Sequence, residues 1–485
     1  MTEQISPHTL EALEYPKIVA RIAGRCLTPY GREHVAQLRP LFDKAVIDRR
    51  QDEAAQMQDI VRFGLPFPLT RIDDCREALK RSTVEGEILE PAEINRVLEL
   101  VTLSISLHRY NTEERDKFPA IAEYLQKLRA FPELQKEIRR CIDDQGEIKD
   151  SASPALKRIR REQVDLRRHI LRRLEQIVGS QRKQAGWQDD IVTQRNGRYV
   201  ISVLSSQYQS SMGILHDRSQ SGNTLFVEPQ ETVELNNRLN MLQQEEHVEI
   251  VRILKTLTGE IGQRASALTE NCRLIGLLDA RHATAELAVA LKATRPVIHD
   301  TPGVELEQAR HPLLILQAGN VEKVVPLSLT LDADRRGIVI TGPNTGGKTV
   351  ALKTIGLLVL MAQSGLPIPA KEKSAVGIFR NVFADIGDEQ SIEQSLSTFS
   401  SHMGHIVEAV DRADEHTLVL FDEIGAGTDP KEGAALAEAI IIHLVERGVY
   451  LVATTHYSQL KTLPLSHPEL ENASLEFDRD NLSPT

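Results

Sequence analysis

Residues 337–349 read Gly-Ile-Val-Ile-Thr-Gly-Pro-Asn-Thr-Gly-Gly-Lys-Thr and carry the strongest structural signal in the chain. The apolar run at their start is typical of a buried strand, and the letters after it fit the pattern GxxxxGK[ST]. Apolar residues then recur at helical spacing, at Ala351, Leu352, Ile355 and Leu358. The stretch therefore predicts a strand, a glycine-rich loop and a helix in direct succession, which is the local fold of a phosphate-binding loop.

This loop predicts a binding site for a nucleoside triphosphate. Glycines allow successive backbone N–H groups to surround a phosphate at a helix N-terminus, where the helix dipole favours an anion. Lys348 adds positive charge beside the β and γ phosphates and is a candidate catalytic residue, while Thr349 offers its hydroxyl to Mg²⁺. The predicted nucleotide-binding residues are Gly342, Pro343, Asn344, Thr345, Gly346, Gly347, Lys348, Thr349, Val350 and the more distant Asp422.

A second motif follows further along the chain, where the apolar run 417–421 ends in Asp422 and Glu423. An acidic pair at a strand end is by itself only a turn signal, but after a phosphate-binding loop it favours hydrolysis. Asp422 can hold Mg²⁺ together with Thr349, and Glu423 can orient or deprotonate the attacking water. We therefore expect Mg²⁺ as cofactor and ATP as substrate.

Three further signals complete this constellation. A Gly-rich loop, 425–430, follows the acidic pair, and His456 ends the strand candidate 449–454. A strand-end histidine is more often structural, but in this order the motifs resemble the γ-phosphate switch of ABC-type ATPases, which implies a catalytic role for His456. Ser397 lies in a Ser-Leu-Ser-Thr-Phe element before a helical pattern, and in ABC-type ATPases such a helix acts on the partner subunit's nucleotide. The resemblance implies a homodimer.

Upstream, two long helical patterns bracket a β-rich segment. Apolar stripes run along 153–183 and 235–261, and about thirty residues of helix span about 45 Å. Between them lie short runs rich in β-branched and aromatic residues, separated by Asn196-Gly197 and 221–223 turns. The strand candidates are 191–193, 199–204, 212–215 and 224–227. The pattern predicts an antiparallel helical lever that carries a small β-rich clamp.

Positive charge collects on this lever, although the chain has 58 Lys and Arg against 69 Asp and Glu and a formal net charge of -11. Segment 151–183 contains ten Lys or Arg against three Asp or Glu, a local charge of +7 (10 − 3). The clamp adds Arg195, Arg198 and Arg218. A charge run on a helix is often only a solvated face. A basic clamp on a long lever instead favours contact of these arginines with nucleic-acid phosphates.

The remaining composition argues against a single-strand-binding, a secreted and a membrane-spanning protein. Only 4% of residues are aromatic, which disfavours a protein that stacks single-stranded bases. The N-terminus lacks an apolar signal segment, and no run of about 18 apolar residues predicts a membrane span. The four cysteines form no CxxC pair, which fits a reducing compartment and a cytoplasmic protein. They are Cys26, Cys75, Cys141 and Cys272.

The predicted fold class is multidomain, α and α/β. With 485 residues the chain has room for about three domains, and its first 140 residues predict helix after helix without chemistry. The predicted segments are a helical core (1–150), a lever helix (151–184), a β-rich clamp (185–229), returning lever and core helices (230–294) and an ABC-type P-loop ATPase domain (295–485).

Together, TGPNTGGKT, the Ser-Thr-Phe element, LVLFDEIGAGTDP and TTHY resemble the ATPase of MutS-family proteins. The helical core, lever and clamp match the MutS layout, so the resemblance covers essentially the whole chain. It is closest to the second bacterial branch, whose members are not devoted to mismatch repair. The distinguishing stretches begin at Ser151, Arg195, Gly213, Ser221 and Asp385.

The sequence departs from mismatch-repair MutS in two respects. The helical core starts almost at residue 1, which leaves no room for a mismatch-reading domain, and the segment Phe226-Val-Glu228 reads as strand and turn of the clamp. Where typical MutS has a histidine near the nucleotide base, the local match offers Ser474, and 324–326 (Val-Val-Pro) is only a weak candidate. Because members of this branch usually continue into a nuclease-like domain, the chain resembles a truncated form, and we expect no nuclease activity from its residues.

The resemblance implies a homodimeric, ATP-hydrolysing protein that binds duplex or branched DNA and controls, by suppression, homologous recombination at Holliday junctions or D-loops. An alternative is a ribosome-associated ATPase that binds and splits collided ribosomes, since DNA and ribosomes are both polyanions and the lever charge cannot choose between them. An ABC transporter subunit is a poor third reading, because a long lever and core precede the ATPase and no membrane partner is implied.

Overall fold

A computed structural model describes residues 5–114, 116–181, 187–342, 347–387, 395–426, 428–474, 477–478 and 483–484. The contacts divide the chain into two compact units. Unit 1 comprises Met1–Ile72, Ser106–Leu128 and Cys272–Thr485, and unit 2 comprises Asp73–Ile105 and Arg129–Asn271. The helical segment predicted as one core therefore contributes to both units. The five-segment domain division is finer than these units and stays a prediction.

Helices dominate the first two thirds of the chain. The α-helices are α1 (Pro7–Ala12), α2 (Tyr15–Ala23), α3 (Pro29–Ala36), α4 (Lys44–Phe63), α5 (Arg76–Arg81), α6 (Pro91–Glu114), α7 (Pro119–Lys127), α8 (Pro132–Cys141), α9 (Pro154–Gln181), α10 (Val233–Gly262), α11 (Ala265–Ala290), α12 (Pro312–Ala318), α13 (Lys348–Gln363), α14 (Ser395–Arg412) and α15 (Pro430–Glu446).

Strands occur in the tip of unit 2 and, in unit 1, from Val297 onward. They are β1 (Trp187–Arg195), β2 (Arg198–Leu204), β3 (Ile214–Arg218), β4 (Thr224–Glu228), β5 (Val297–His299), β6 (Val304–Ala309), β7 (Leu327–Leu331), β8 (Gly337–Thr341), β9 (Ala375–Gly377), β10 (Asn381–Asp385), β11 (Thr417–Phe421), β12 (Tyr450–Thr455), β13 (Leu470–Ser474), β14 (Phe477–Asp478) and β15 (Ser483–Pro484).

A parallel sheet of five strands, in the order β10-β11-β12-β8-β13, organises unit 1. The strands β8, β11 and β12 are buried along their whole length, which explains why they read as continuous apolar runs. Since all five strands point the same way, their carboxyl ends meet at one edge. That edge brings together the start of the phosphate-binding loop, the acidic pair and the residues after β12.

Helix α13 is the most deeply enclosed helix in this arrangement. It packs so closely that a Cβ added to Gly356 would lie 2.5 Å from side-chain atoms of both Leu13 and Leu420. At its C-terminal end Ser364 shares a hydrogen bond with the hydroxyl of Tyr15, with 2.7 Å between the two oxygens. The first two helices therefore belong to the same hydrophobic core as the helix that begins at Lys348.

A second sheet in unit 1, in the order β5-β9-β6-β7, differs from the βα alternation that the sequence predicts after residue 295. The pairs β6–β7 and β6–β9 are antiparallel, and β5–β9 is parallel. Strand β6 alternates between buried and partly exposed positions, as expected for a sheet with one solvated face. Such short, half-buried strands carry little sequence signal.

In unit 2, α9 and α10 form an antiparallel pair, as the lever pattern predicts. Ser153 donates to Glu249 (2.6 Å) near one end, and Gln163 donates to the Leu242 carbonyl (3.1 Å) in the middle. Arg160 links the two helices through Glu246 at 2.7 Å. Further along, the buried stripe of α9 joins Leu239 and the strands of the tip in one apolar cluster. Its buried α9 members are Ile170, Leu174 and Ile177.

The tip is an antiparallel sheet in the order β1-β2-β4-β3, close to the four predicted strands. The predicted Asn196-Gly197 turn is confirmed: the two residues have φ of 50° and 76°, and Arg195 pairs with Arg198 across it. Both central residues of this two-residue hairpin need positive φ, which explains the choice of Asn and Gly. In the described ranges, no helix is long and apolar enough to cross a membrane.

Candidate functional site

The phosphate-binding loop leaves β8 at Gly342 and enters α13 at Gly347. These glycines have φ of 143° and 84°, conformations that side chains other than Gly rarely adopt. Residues 343–346, predicted as nucleotide-binding, lie outside the described part of the chain. Lys348 is only 2% exposed, and its Nζ donates to the Thr455 carbonyl (3.4 Å), while Val350 is 41% exposed. The Lys348 ammonium group is thus buried between the first turn of α13 and the end of β12.

Asp422 lies at the end of β11 and is fixed through both carboxylate oxygens. Thr349 donates its hydroxyl to Oδ2 (2.6 Å), and Thr454 donates its hydroxyl to Oδ1. The Asp422 backbone N–H donates to the Asp385 carbonyl (2.9 Å) at the end of the neighbouring strand. The sequence prediction that Thr349 and Asp422 act together therefore has a direct counterpart in the structure.

This pair of oxygens suits Mg²⁺, which prefers oxygen ligands and usually retains several waters. Thr349 and Asp422 would hold the ion on the protein side, and phosphate oxygens would supply further ligands. Within the described residues, no group of three or more His, Cys, Asp and Glu side chains could hold a metal.

Glu423 adopts a left-handed backbone conformation with φ of 50°. Such a conformation costs a non-glycine residue of the order of 1 kcal/mol or more and persists only where the surroundings fix it. Here the Glu423 N–H donates to the Thr454 hydroxyl (2.8 Å), and the Ile424 N–H donates to the Thr454 carbonyl (3.1 Å). The bend turns the chain sharply after Asp422, and the Glu423 side chain is partly exposed at the strand end.

The Gly-rich loop after the acidic pair packs tightly against the start of α15. A Cβ on Gly433 would lie 2.2 Å from the Gly425 carbonyl oxygen, and the Tyr457 hydroxyl donates to that same carbonyl (2.8 Å). Asp429 caps α15 by accepting from the Lys431 N–H (2.9 Å). The first end of the loop is thus fixed at Gly425 by Gly433 and Tyr457, and the second end is fixed by the Asp429 cap.

His456 follows β12 directly and is exposed, with its ring 4.1 Å from the ring of Tyr457. Its position at the carboxyl edge of the sheet agrees with the sequence expectation, because the sheet brings it to the same edge as the acidic pair. The two rings are tilted by 46° to each other, and the His456 side chain stays open to solvent at this edge.

The sequence placed Ser397 before a helix, and the structure places it inside that helix, in the first turn of α14; its side chain is outside the described atoms. Further along this helix, the buried Asp385 carboxylate accepts from Nδ1 of His402 (2.8 Å) and lies 3.4 Å from Nδ1 of His405. The His405 ring stacks on His8, with centroids 3.9 Å apart. Burial and the neighbouring His405 lower the pKa of His8. Sequence reasoning missed this cluster, because its members are separated along the chain.

Ser474, the candidate for the nucleotide base, pairs with Thr341 in the register of β13 with β8. It lines a cleft of about 450 Å³ together with Ile340 and Ile355. Val324 is buried and its carbonyl accepts from Arg310 (2.9 Å), and Val325 is 40% exposed. Ser474 therefore lies beside the strand that leads into the phosphate-binding loop.

The three clamp arginines have different environments. Arg198 forms an ion pair at 2.8 Å with Glu228, which is fully buried and also contacts His216 and Asn236. Its charge is used inside the tip, so the structure gives Arg198 a structural role. No sequence signal joined it to a carboxylate thirty positions away.

Arg195 and Arg218 are both exposed. Arg195 lies over the Phe226 ring, 4.3 Å from its centroid, and is 3.4 Å from Asp217. Among the described residues, the guanidinium of Arg218 has no ion-pair partner. These two side chains remain the predicted phosphate contacts of the tip.

Comparison with known proteins finds relatives along nearly the whole chain. The family MutS domain V matches residues 338–484. Endonuclease MutS2 of Geobacillus sp. (strain WCH70) is 46% identical over 479 residues, and that of Symbiobacterium thermophilum is 44% identical over 478 residues. Endonuclease MutS2 of Halothermothrix orenii is 43% identical over 486 residues. Each match covers 98% of this chain, which spans about 60% of the length of these relatives.

Proposed function

The chain belongs to the MutS family, and from this we propose that it hydrolyses ATP at the carboxyl edge of the parallel sheet and uses the cycle to control a DNA clamp. One observation carries the proposal. The side chains of Thr349 and Asp422 are hydrogen-bonded to each other directly beside the buried Lys348, where triphosphate and Mg²⁺ chemistry requires them.

In this proposal each residue has one role. Lys348 and the N-terminus of α13 bind the β and γ phosphates, and Thr349 with Asp422 holds Mg²⁺, which neutralises developing phosphate charge. Glu423 orients the attacking water and accepts its proton, and His456 contacts the γ-phosphate from the neighbouring strand end.

Replacement of Glu423 by Gln tests hydrolysis separately from binding. Gln keeps the size and hydrogen bonding of the side chain but cannot accept the proton, so ATP should still bind while turnover falls by about 100-fold or more. Lys348→Ala should instead weaken ATP binding itself. The measurements are phosphate release and binding of a fluorescent ATP analogue, and Glu446→Gln, on the exposed end of α15, is the matched control. Wild-type turnover in Glu423→Gln would contradict the assignment.

We further propose that two chains associate, with Ser397 of one facing the nucleotide of the other, and that the tip closes on duplex or branched DNA. The exposed Arg195 and Arg218 support a phosphate contact at the tip, and the position of Ser397 in the first turn of α14 supports a trans role. Suppression of homologous recombination is the role we infer for such a clamp. The relatives carry the word endonuclease in their names, but we expect no nuclease activity from residues 1–485.

The alternative target is a collided ribosome, because its RNA offers the same phosphates as DNA. A gel shift on four-way junctions and co-sedimentation with stalled disomes distinguish the two. Binding to junctions in ATP, with no nucleotide-dependent disome binding or splitting, is the expected result. Splitting of disomes without junction binding would replace the recombination role by the ribosomal one.

A further inference from the structure

Thr454 lies near the end of β12 and is fully buried. It contacts both residues of the acidic pair, Asp422 and Glu423. Its hydroxyl donates to Oδ1 of Asp422 and accepts from the backbone N–H of Glu423 (2.8 Å). Its own carbonyl accepts from the Ile424 N–H (3.1 Å). The Thr454 side chain and its carbonyl thus bind three consecutive residues, 422–424, at the end of the neighbouring strand β11.

We propose that Thr454 is a positioning residue of the hydrolytic site, which fixes the Asp422 carboxylate and the Glu423 backbone relative to each other. The inference rests on the proposed ATPase function and assigns a role to a residue of the TTHY stretch for which the sequence predicted none. Thr454 acts through Asp422 and Glu423 and does not itself touch the nucleotide.

The hydroxyl is suited to this role because it can donate one hydrogen bond and accept another at the same time. The Asp422 carboxylate offers only acceptors, and the Glu423 N–H offers only a donor, so a group of one polarity could satisfy only one of them. Removal of the hydroxyl would leave a partly buried N–H without its partner, at the residue with a left-handed backbone. The Glu423 backbone would then lose a hydrogen bond that helps to hold it in the left-handed conformation.

The hydroxyl also restricts the Asp422 carboxylate. Thr349 binds one oxygen and Thr454 binds the other, so the plane of the carboxylate is defined by two hydroxyls on opposite sides. Without Thr454 the carboxylate could rotate about its terminal torsion, which is broad for aspartate. Rotation would misplace the oxygen that faces Thr349 and weaken a site for Mg²⁺.

Thr454→Val and Thr454→Ser test the hydroxyl directly. Val keeps the shape of Thr and removes the hydroxyl, so kcat should fall at least about tenfold with a smaller change in KM. The half-saturating Mg²⁺ concentration should rise severalfold. Binding of a fluorescent ATP analogue should lose most of its enhancement by Mg²⁺ while binding in EDTA stays unchanged. Ser restores the hydroxyl and should recover wild-type behaviour in each measurement.

Thr284→Val is the matched control, because Thr284 is also buried but its hydroxyl donates to the Ala280 carbonyl within its own helix, α11, away from the acidic pair. It should leave kcat and the Mg²⁺ dependence unchanged. If Thr454→Val does not fold, as judged by thermal unfolding, Thr454→Cys replaces it, since a thiol is a weak donor of similar size.

The outcomes separate this inference from the proposed function. No ATPase activity in the wild-type chain would overturn both. Loss of activity in Glu423→Gln with wild-type kcat and Mg²⁺ dependence in Thr454→Val would overturn only the role of Thr454. A fall in kcat that Ser does not restore would also overturn it, because the hydroxyl would then not be the cause.

Discussion

His311 is a buried titratable residue at the start of α12, outside the proposed nucleotide site. It is 4% exposed, its Nδ1 has no hydrogen-bond partner among the residues that the structure describes, and its Nε2 is 4.0 Å from a Glu14 carboxylate oxygen. Burial is the main cause that lowers its pKa to about 4, and Glu14 opposes this shift while Lys353 and Lys17 add to it. His311 is therefore neutral in the folded chain at neutral pH.

The pH dependence of stability follows from this shift. Because the folded pKa lies below the unfolded value of about 6.5, the unfolded state binds more protons between pH 6.5 and 4. His311 should thus cost up to about 3 kcal/mol of stability as the pH falls through this window, and nothing further below it. Urea unfolding from pH 7 to 4 should show a smaller loss for His311→Gln than for wild type. An identical loss in both would contradict the prediction, and the exposed His443→Gln serves as control.

The placement of site residues was predictable from the sequence where a motif is continuous, and contacts between distant positions were missed. Lys348, Thr349, Asp422 and Glu423 follow from two local patterns in strand-end context. The role of Thr454 does not, because its partners are on the neighbouring strand and only the parallel register brings them together. The ion pair of Arg198 with Glu228 was missed for the same reason, because its two residues lie on different strands.

At the scale of elements, the tip sheet presents two exposed arginines on a framework held by a buried carboxylate. Glu228 is fully buried, forms an ion pair with Arg198 and is hydrogen-bonded to His216. Removal of one partner from a buried ion pair costs about 3–5 kcal/mol, because it leaves an uncompensated charge. Arg198 therefore maintains the framework on which Arg195 and Arg218 are displayed.

This arrangement predicts different results for the three arginines. Arg195→Ala and Arg218→Ala should each weaken junction binding at all sequences and reduce the slope of log K against log salt by about 0.9, the value of one lost phosphate contact. Arg198→Ala should instead lower the stability of the tip. Gel shifts from 50 to 200 mM salt and thermal unfolding distinguish the effects, with Arg252→Ala on α10 as control. If the salt dependence is unchanged in both Arg195→Ala and Arg218→Ala, these arginines do not contact phosphate and are simply solvated surface residues.

Periodicity predicted the elements that are long or bounded by clear turns. The lever helices, the Asn196-Gly197 hairpin and the buried strands β8 and β11 follow from local patterns, because burial and turn geometry constrain each of their residues. The sheet of β5, β6, β7 and β9 was not predicted. Its strands have three to six residues each, and their partners come from distant parts of the chain.

At the scale of the whole molecule, the proposed dimer predicts complementation between two inactive variants. If Ser397 acts on the nucleotide held by Lys348 of the partner, each active site combines residues from two chains, and a twofold axis creates two such sites. In a heterodimer of Lys348→Ala and Ser397→Arg, one site carries both defects and the other carries neither. Each variant alone should be nearly inactive, whereas the mixture should recover up to about a quarter of wild-type ATPase activity.

The measurement is phosphate release after subunit exchange, with heterodimers verified by differently tagged chains. Two batches of the same variant, mixed in the same way, provide the baseline. Wild-type turnover in Ser397→Arg alone, or no recovery in verified heterodimers, would show that Ser397 only caps its own helix. Strong coupling between the two sites would lower the recovered fraction without abolishing it.

The division of unit 1 among separate stretches of sequence constrains its biosynthesis. Translation has supplied every residue of unit 2 at Asn271, whereas the first stretch of unit 1 ends at Ile72 and must wait for α13. Gln51 donates to the carbonyls of Ala362 (3.3 Å) and Leu366 (3.0 Å), so its partners emerge about 290 residues after Ile72 (362 − 72). At about 5–20 residues per second this delay is about 15–60 s. Throughout it, the apolar residues near the N-terminus that pack against α13, among them Leu13, lack that partner and stay open to other contacts.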